Sequence, residues 1–487
     1  MSSEESSYKQ ILKSSSIIGG TQIFTILIQI IRSKIIAVII GTTGFGILGL
    51  LQTTISLISN LTNGGLGVSS VRDLSEAYSK KDYAKTTMVV SVVKKLVIIT
   101  GLLGTGIMLF FSKYLSKIVF GNGNYTLHFA FASVTLFLMQ FTVWQNVILQ
   151  GTRNINYLAK SNMIGSTIGL ILTVPLYYIF KIEGIIPAII ISALITPVVT
   201  SYFVKKINIP TSKVSFKNAF IQGKDMINLG MMLNLGLIIS QITSFIIRTF
   251  IGRSGGLEQV GLYSAAFTII NGYMNIIFTA MSTDYYPRLC SVSHDNEKSY
   301  NMINQQAEII LIVLGPILIV FISFIHYGIL ILYSQKFLGI NLMLQFAAIA
   351  MLFKGASFSV AHLFLAKGAS KIYFWNELVS NIYLLILNIL GYYFWGLNGI
   401  GISFLLGYFL YFFQVLIVAR IYYNYKISKD FVKLILIQTL LVSAMLLLVL
   451  FFNTQFYLKI LLIMITFLIS YKLLSKKIDI KNIIKRK

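Results

Sequence analysis

The sequence is poor in acidic residues and nearly lacks cysteine. Asp and Glu number 15 in 487 residues, and charged residues of both signs make up 11%. A soluble globular chain carries about 25% charged residues, so a water-facing enzyme is excluded at the outset. The single cysteine, Cys290, has no partner for an intrachain disulfide. Six prolines and 36 glycines are too few for a disordered or collagen-like chain. There is no Walker-type phosphate loop, no zinc-ligand spacing and no nucleophile elbow. The sequence therefore predicts no catalytic residues, no metal and no cofactor. The opening Met-Ser-Ser-Glu-Glu lacks the basic region and small-residue cleavage site of a removable leader.

What is abundant is apolar. Hydrophobic residues make up 56%, and the mean hydropathy is +0.80. A membrane helix needs about 20 mostly apolar residues. That ruler predicts fourteen spans, at 15–40, 47–68, 86–111, 126–150, 163–180, 185–204, 226–251, 260–283, 305–333, 342–366, 373–395, 398–419, 434–452 and 456–472. Few runs alternate with period two, so a membrane barrel is not expected. The predicted fold class is all-α, a polytopic membrane protein.

Charge then orients the chain. Lys and Arg number 40, giving a net charge of +25. Such a balance can mark a nucleic-acid binder, but here the basic residues lie between apolar runs, and no nucleic acid is expected. With the first residue inside, 28 of the 40 basic residues fall in inner segments and 5 in outer ones. Excess Lys and Arg mark cytoplasmic loops, so both termini are expected in the cytoplasm.

The chain also echoes itself. Arg32 and Arg248 stand 216 residues apart, as do Arg72 and Arg288. Tyr177-Tyr178 recurs as Tyr392-Tyr393, and Gly184 as Gly399, at an offset of 215. These landmarks predict a six-helix lobe over 1–215, a second over 216–430, and two further helices with a basic tail over 431–487. Six helices per repeat give both lobes the same orientation, related by an axis along the membrane normal.

The stretch Arg32–Leu50 (RSKIIAVIIGTTGFGILGL), with Gly64–Arg72 (GGLGVSSVR) and Phe120-Gly121-Asn122, resembles the Wzx-type flippases of the multidrug/oligosaccharidyl-lipid/polysaccharide exporter superfamily. The resemblance is nearest to O-antigen translocases and the enterobacterial common antigen lipid III flippase, and covers about twelve helices. It implies a two-lobed transporter in a bacterial inner membrane. Its substrate would be an undecaprenyl-diphosphate-linked oligosaccharide, moved from the cytoplasmic to the periplasmic leaflet through a cationic cavity. It also implies membrane lipids, a coupling proton or sodium ion, and the polysaccharide polymerase and chain-length proteins as partners. The last two helices depart from the twelve-helix pattern. The lipid II flippase branch has such a pair, forming a lipid groove.

Charges within spans are the candidate site residues, because each costs about 2.5–3.5 kcal/mol to insert. Arg32 is too deep to snorkel, so it is a candidate diphosphate contact or half of a structural pair. Lys34 is about 200° further around the helix and cannot share its face. Lys354 is central in its span. Arg248 lies near the outer end of its helix but matches Arg32 in the repeat. Lys94, Lys95 and Lys459 are weaker candidates. Gln22 and Gln29 share a face, as do Asn271 and Asn275. These amides are candidates for sugar hydroxyls, against the alternative of interhelical glue. Gln29, Asn271 and Asn275 join Arg32, Lys34, Arg248 and Lys354 as the substrate-binding set. Glu377, His326 and His362 are the candidates for ion coupling. Asp284 can simply pair with Arg288.

A flippase is the expected function. A multidrug/cation antiporter of the same superfamily is the alternative, but it needs carboxylates in mid-span. A polymerase would show a long periplasmic loop, which is missing here.

Overall fold

The computed structural model describes residues 3–210, 212–273, 278, 285–452 and 456–477. These are nearly all helical, with no strand among the described residues. The helices are α1 (Ser3–Asn63), α2 (Leu66–Ser79), α3 (Tyr83–Phe110), α4 (Ser112–Phe120), α5 (Thr126–Ala132), α6 (Val134–Gly151), α7 (Ile155–Phe180), α8 (Ile185–Lys205), α9 (Phe216–Phe267), α10 (Asn296–Leu332), α11 (Asn341–Ala366), α12 (Ser370–Tyr423), α13 (Lys429–Phe451) and α14 (Phe456–Lys477). A π-helical segment, Thr268–Tyr273, follows α9. Eleven helical stretches among the described residues are long and apolar enough to cross a membrane. The chain is a polytopic, all-helical membrane protein.

Three of those stretches are broken within. α1 leaves helical geometry at Gly41 (φ 66°, ψ −168°). α9 does so at Gly256 (φ 82°, ψ 176°), and α12 at Trp395 and Gly396 (φ 57°, ψ −139°). Each of the three glycines falls in a gap between predicted spans. Glycine occupies these positions because a Cβ disfavours positive φ.

Other boundaries differ from the sequence reading. The second predicted span runs to 68, but α1 ends at Asn63, because Gly64 and Gly65 both take positive φ. A Cβ at Gly65 would stand 2.1 Å from the Gly230 carbonyl oxygen, so this turn needs glycine. The segment after it forms the separate helix α2. The predicted outer loop 112–125 contains α4. The predicted span 260–283 is described only in part, and Asn275 and Asp284 lie outside the described residues.

Eight of the twelve left-handed residues among the described residues recur at regular spacing. Gly41 and Gly256, Arg153 and Gly368, and Lys181 and Gly396 are each 215 residues apart; Asn208 and Asn424 are 216 apart. The sequence landmarks had the same spacing.

By contact the chain forms two compact units, Met1–Ser264 and Ala265–Lys487. In the first unit α7 packs on α1 and α8, and α6 on α3 and α8. Polar side chains tie these helices. Trp144 Nε1 donates to the Val90 carbonyl at 3.1 Å, and Gln145 Nε2 donates to the Ser201 hydroxyl at 2.6 Å. Helices α1 and α9 cross with backbones nearly touching. A Cβ on Gly46 would lie 2.0 Å from the Leu257 carbonyl oxygen, and one on Gly261 1.8 Å from that of Thr42. Small residues permit such approach between membrane helices. Beside the crossing, the Thr42 hydroxyl donates to Glu258 Oε1 at 3.3 Å.

In the second unit α10 packs on α11, α13 and α14, and α11 packs on α12. The connection into α13 is pinned to α10. Asn304 Oδ1 accepts from the Tyr425 hydroxyl at 2.7 Å and from the Ser428 amide at 3.1 Å. The Ser428 hydroxyl donates to Glu308 Oε1 at 2.8 Å and caps α13 by accepting from the Phe431 amide at 3.0 Å. Further along, Gln438 Nε2 donates to the Ser470 hydroxyl at 3.2 Å and joins α13 to α14.

Candidate functional site

Between Gly20 and Arg32, α1 is apolar except for one stripe. Thr21, Gln22, Thr25, Gln29 and Arg32 recur at intervals of one, three, four and three, which places them on one helix face. α7 carries a matching stripe of small and polar residues: Ser161, Asn162, Gly165, Ser166 and Gly169. α8 adds Ser192 and Thr196, one turn apart. Because α7 packs on both α1 and α8, the three stripes converge. They enclose a groove of about 520 Å³, completed by Ile28, Ile155, Leu158 and Ala159. That volume is within the usual 300–1,000 Å³ of small-molecule sites.

The chemistry of the lining is uneven. Arg32 is the only charged residue on it, set among nine hydroxyl and amide side chains, with no carboxylate. Arg32 Nη2 donates to the Ser192 hydroxyl at 2.8 Å, and the guanidinium also interacts with the Tyr177 hydroxyl. These contacts hold the planar fork at one end of the groove. A guanidinium has five N–H donors, matched in pairs to phosphate or carboxylate oxygens. From Thr21 to Arg32 is eleven residues, about 16 Å at 1.5 Å per residue. The groove therefore offers one fixed cation at one end and a length of neutral hydrogen-bonding groups.

The other predicted site residues are dispersed. Gln29 lines the groove, as does Gln22, whereas Lys34 does not. Arg248, on α9, donates from Nη1 to the Thr53 hydroxyl and lies 5.9 Å from the Tyr263 ring centre. Lys354, on α11, has its ammonium 5.5 Å from the ring centres of both Phe278 and Tyr408, a cation–π arrangement. Asn271 sits in the π-helical segment. Lys94 and Lys95 lie over the rings of Trp144 and Phe216, at 5.1 and 4.3 Å.

The ion-coupling candidates all belong to the second unit. Glu377 Oε1 accepts from the Tyr411 hydroxyl at 2.8 Å. Asn376 packs beside it, its Oδ1 accepting from Gln414 Nε2 at 2.8 Å. His362 is ringed by aromatics, 4.2 Å from Phe358 and 5.7 and 5.8 Å from Tyr285 and Tyr286 between centres. Its Nδ1 pairs with the Phe358 carbonyl at 2.7 Å. His326 is exposed and meets Tyr327 edge-on.

Sequence reasoning missed the α7 and α8 sides of the groove. The signal was the one-turn spacing of Asn162 with Ser166 and of Ser192 with Thr196, which also suits ordinary helix packing.

Comparisons with known proteins agree with this architecture. Among solved structures the chain is similar to the lipid II flippase MurJ in an inward closed conformation, at 14% identity and a TM-score of 0.72, covering 96% of this chain and 99% of that one. It is also similar to an inward-facing multidrug resistance MATE family transporter of the MOP superfamily, at 16% identity and a TM-score of 0.65, covering 86% and 95%. A third likeness is to the MATE transporter VcmN of Vibrio cholerae, at 14% and 0.61, covering 87% and 98%. At these identities the likeness establishes a shared fold. No curated protein matches the sequence. The family described as "Polysaccharide biosynthesis protein" matches residues 11–293, more than half of the chain. The chain belongs to the polysaccharide biosynthesis protein family.

Proposed function

We propose that the chain is a flippase. It moves an undecaprenyl-diphosphate-linked oligosaccharide, such as an O-antigen repeat unit, from the cytoplasmic to the periplasmic leaflet of a bacterial inner membrane. The observation that carries this reading is the groove, where one arginine faces a run of nine neutral hydroxyl and amide groups. A diphosphate is anionic and a glycan is rich in hydroxyls, so each finds complementary partners there. The family supports the same substrate class. A cation antiporter would need a carboxylate on the groove to attract its substrate, and none lines it.

The proposal includes a topology of fourteen passes with both termini in the cytoplasm. Eleven spanning stretches with three internal breaks support that number. It also includes two lobes, 1–215 and 216–430, followed by an added pair of helices. The recurrence of left-handed residues at 215 and 216 supports the repeat. Glu377, bonded to Tyr411, is the carboxylate we assign to proton or sodium coupling. The substrate assignment rests on Arg32 and Gln29 and does not draw on Lys34, Arg248, Lys354, Asn271 or Asn275.

Deleting the gene tests the function. Surface polysaccharide is expected to fall and its lipid-linked precursor to accumulate on the cytoplasmic side. Unchanged polysaccharide with heightened sensitivity to cationic drugs would favour the antiporter instead. Reporter fusions test the topology: Gly123 and Gly256 are expected to report periplasm, and Lys81, Lys213 and Lys429 cytoplasm. A periplasmic signal at Lys213 would overturn the count of passes in the first half.

A further inference from the structure

Glycines in this fold fall into two kinds. Gly46 and Gly261 stand against backbone, where a Cβ would meet a carbonyl oxygen at 2.0 and 1.8 Å. Gly165 and Gly169 on α7 are the opposite kind. Both are buried, yet a Cβ built on either meets no heavy atom within 4 Å. Neither takes positive φ, so the backbone does not require glycine. A helix interior disfavours glycine relative to alanine, so these two positions weaken α7 without any packing return. The space they leave open is the groove, which both residues line.

We infer that Gly165 and Gly169 set the size of glycan that the groove accepts. The two lie one turn apart on the face of α7 that carries Ser161. Side chains there would project into the lumen that α7 shares with α1. The polar wall beside the glycines would still bind sugar hydroxyls, but the cross-section would shrink. A carrier with a single sugar needs little of the groove beyond the Arg32 end. A carrier with several sugars needs the full length past both glycines. The wall is uncharged away from Arg32, so the glycan it suits is a neutral one. This inference rests on the flippase reading above and names the residues that select among its substrates.

The test uses the full chain, purified and reconstituted in sealed proteoliposomes. The probes are polyprenyl-diphosphate carriers bearing one neutral sugar and five neutral sugars. The unaltered protein is expected to translocate both. Gly165→Leu with Gly169→Leu is expected to fold normally, because a Cβ at either position meets no neighbour within 4 Å and both residues line the groove. Its ratio of five-sugar to one-sugar transport should fall at least fivefold below that of the unaltered protein. Gly169→Cys in a Cys290→Ser background gives a second measurement, in which thiol reagents of rising size are attached after folding. Each larger reagent should lower the ratio of five-sugar to one-sugar transport further.

Full five-sugar transport by the double variant, or an equal loss on both carriers, overturns the size assignment. So does progressive blockade by the reagents that ignores glycan length. Failure of the double variant to fold would contradict the open space itself. If the unaltered protein moves neither carrier, the flippase reading fails, a result distinct from all of these.

Discussion

Arg32→Ala is expected to abolish surface polysaccharide export at normal protein level. The diphosphate of a lipid carrier must leave water or headgroups for a path of low dielectric, where an unpaired anion faces a barrier of several kcal/mol. Arg32 is the only charge lining the groove, and its donation to Ser192 at 2.8 Å holds it in place. Removing one partner of a buried charge pair costs about 2–5 kcal/mol. A value near ~3 kcal/mol corresponds to roughly a hundredfold loss of rate. Arg32→Lys keeps the charge but loses the fork that grips two oxygens at once, so it should restore export only in part. Ser192→Ala removes an orienting contact and not the charge, and should reduce export by a few-fold. Surface polysaccharide and accumulated precursor, each normalised to inserted protein, measure all three. Full export by Arg32→Ala would make the arginine structural and route the diphosphate elsewhere.

Substituting the glycines at the crossing of α1 and α9 should do a different kind of damage. Gly46→Leu and Gly261→Leu are expected to remove folded protein from the membrane. At each position the atom in the way is a backbone oxygen, 2.0 Å from a Cβ on Gly46 and 1.8 Å from one on Gly261. A backbone oxygen cannot rotate aside as a side chain does, so the helices must separate. Overpacking typically costs about 1–3 kcal/mol, and more where the backbone must shift. Even Gly46→Ala and Gly261→Ala should lower the thermal midpoint in detergent. The contrast with Gly165→Leu is the useful control, because the same substitution in open space should leave folding intact. A Gly261→Leu protein that melts with the unaltered one would show that the crossing is looser than its geometry states.

Much of the fold was legible because apolar length is a strong signal. The gaps between predicted spans at 41–46, 252–259 and 396–397 bracket the breaks at Gly41, Gly256 and Gly396. Shorter helices were not legible. α2 and α4 have 14 and 9 residues, too few to cross a bilayer, so a ruler of span length passes over them. One wall of the candidate groove was visible as well. Gln22, Gln29 and Arg32 are polar in an apolar run and share a face by spacing alone. The facing wall was hidden, because serines and glycines in α7 read equally as interhelical packing. Their role depends on which helix lies opposite, and that is a tertiary fact. Two carboxylates illustrate the same limit. Glu258 drew no attention in the sequence, yet it receives the Thr42 hydroxyl beside the helix crossing. Glu308 lies near the start of the predicted span 305–333 with nothing in its spacing to mark it, yet it holds the cap of α13 through Ser428.

The most direct measurement is translocation by the purified protein in sealed proteoliposomes, with two substrates side by side: a polyprenyl-diphosphate-linked neutral oligosaccharide and a lipophilic cation. A groove with one arginine and no carboxylate predicts that the diphosphate carrier crosses and the cation does not, and that Arg32→Ala stops the carrier. Movement of the cation without the carrier, or carrier movement that Arg32→Ala leaves unchanged, would contradict it.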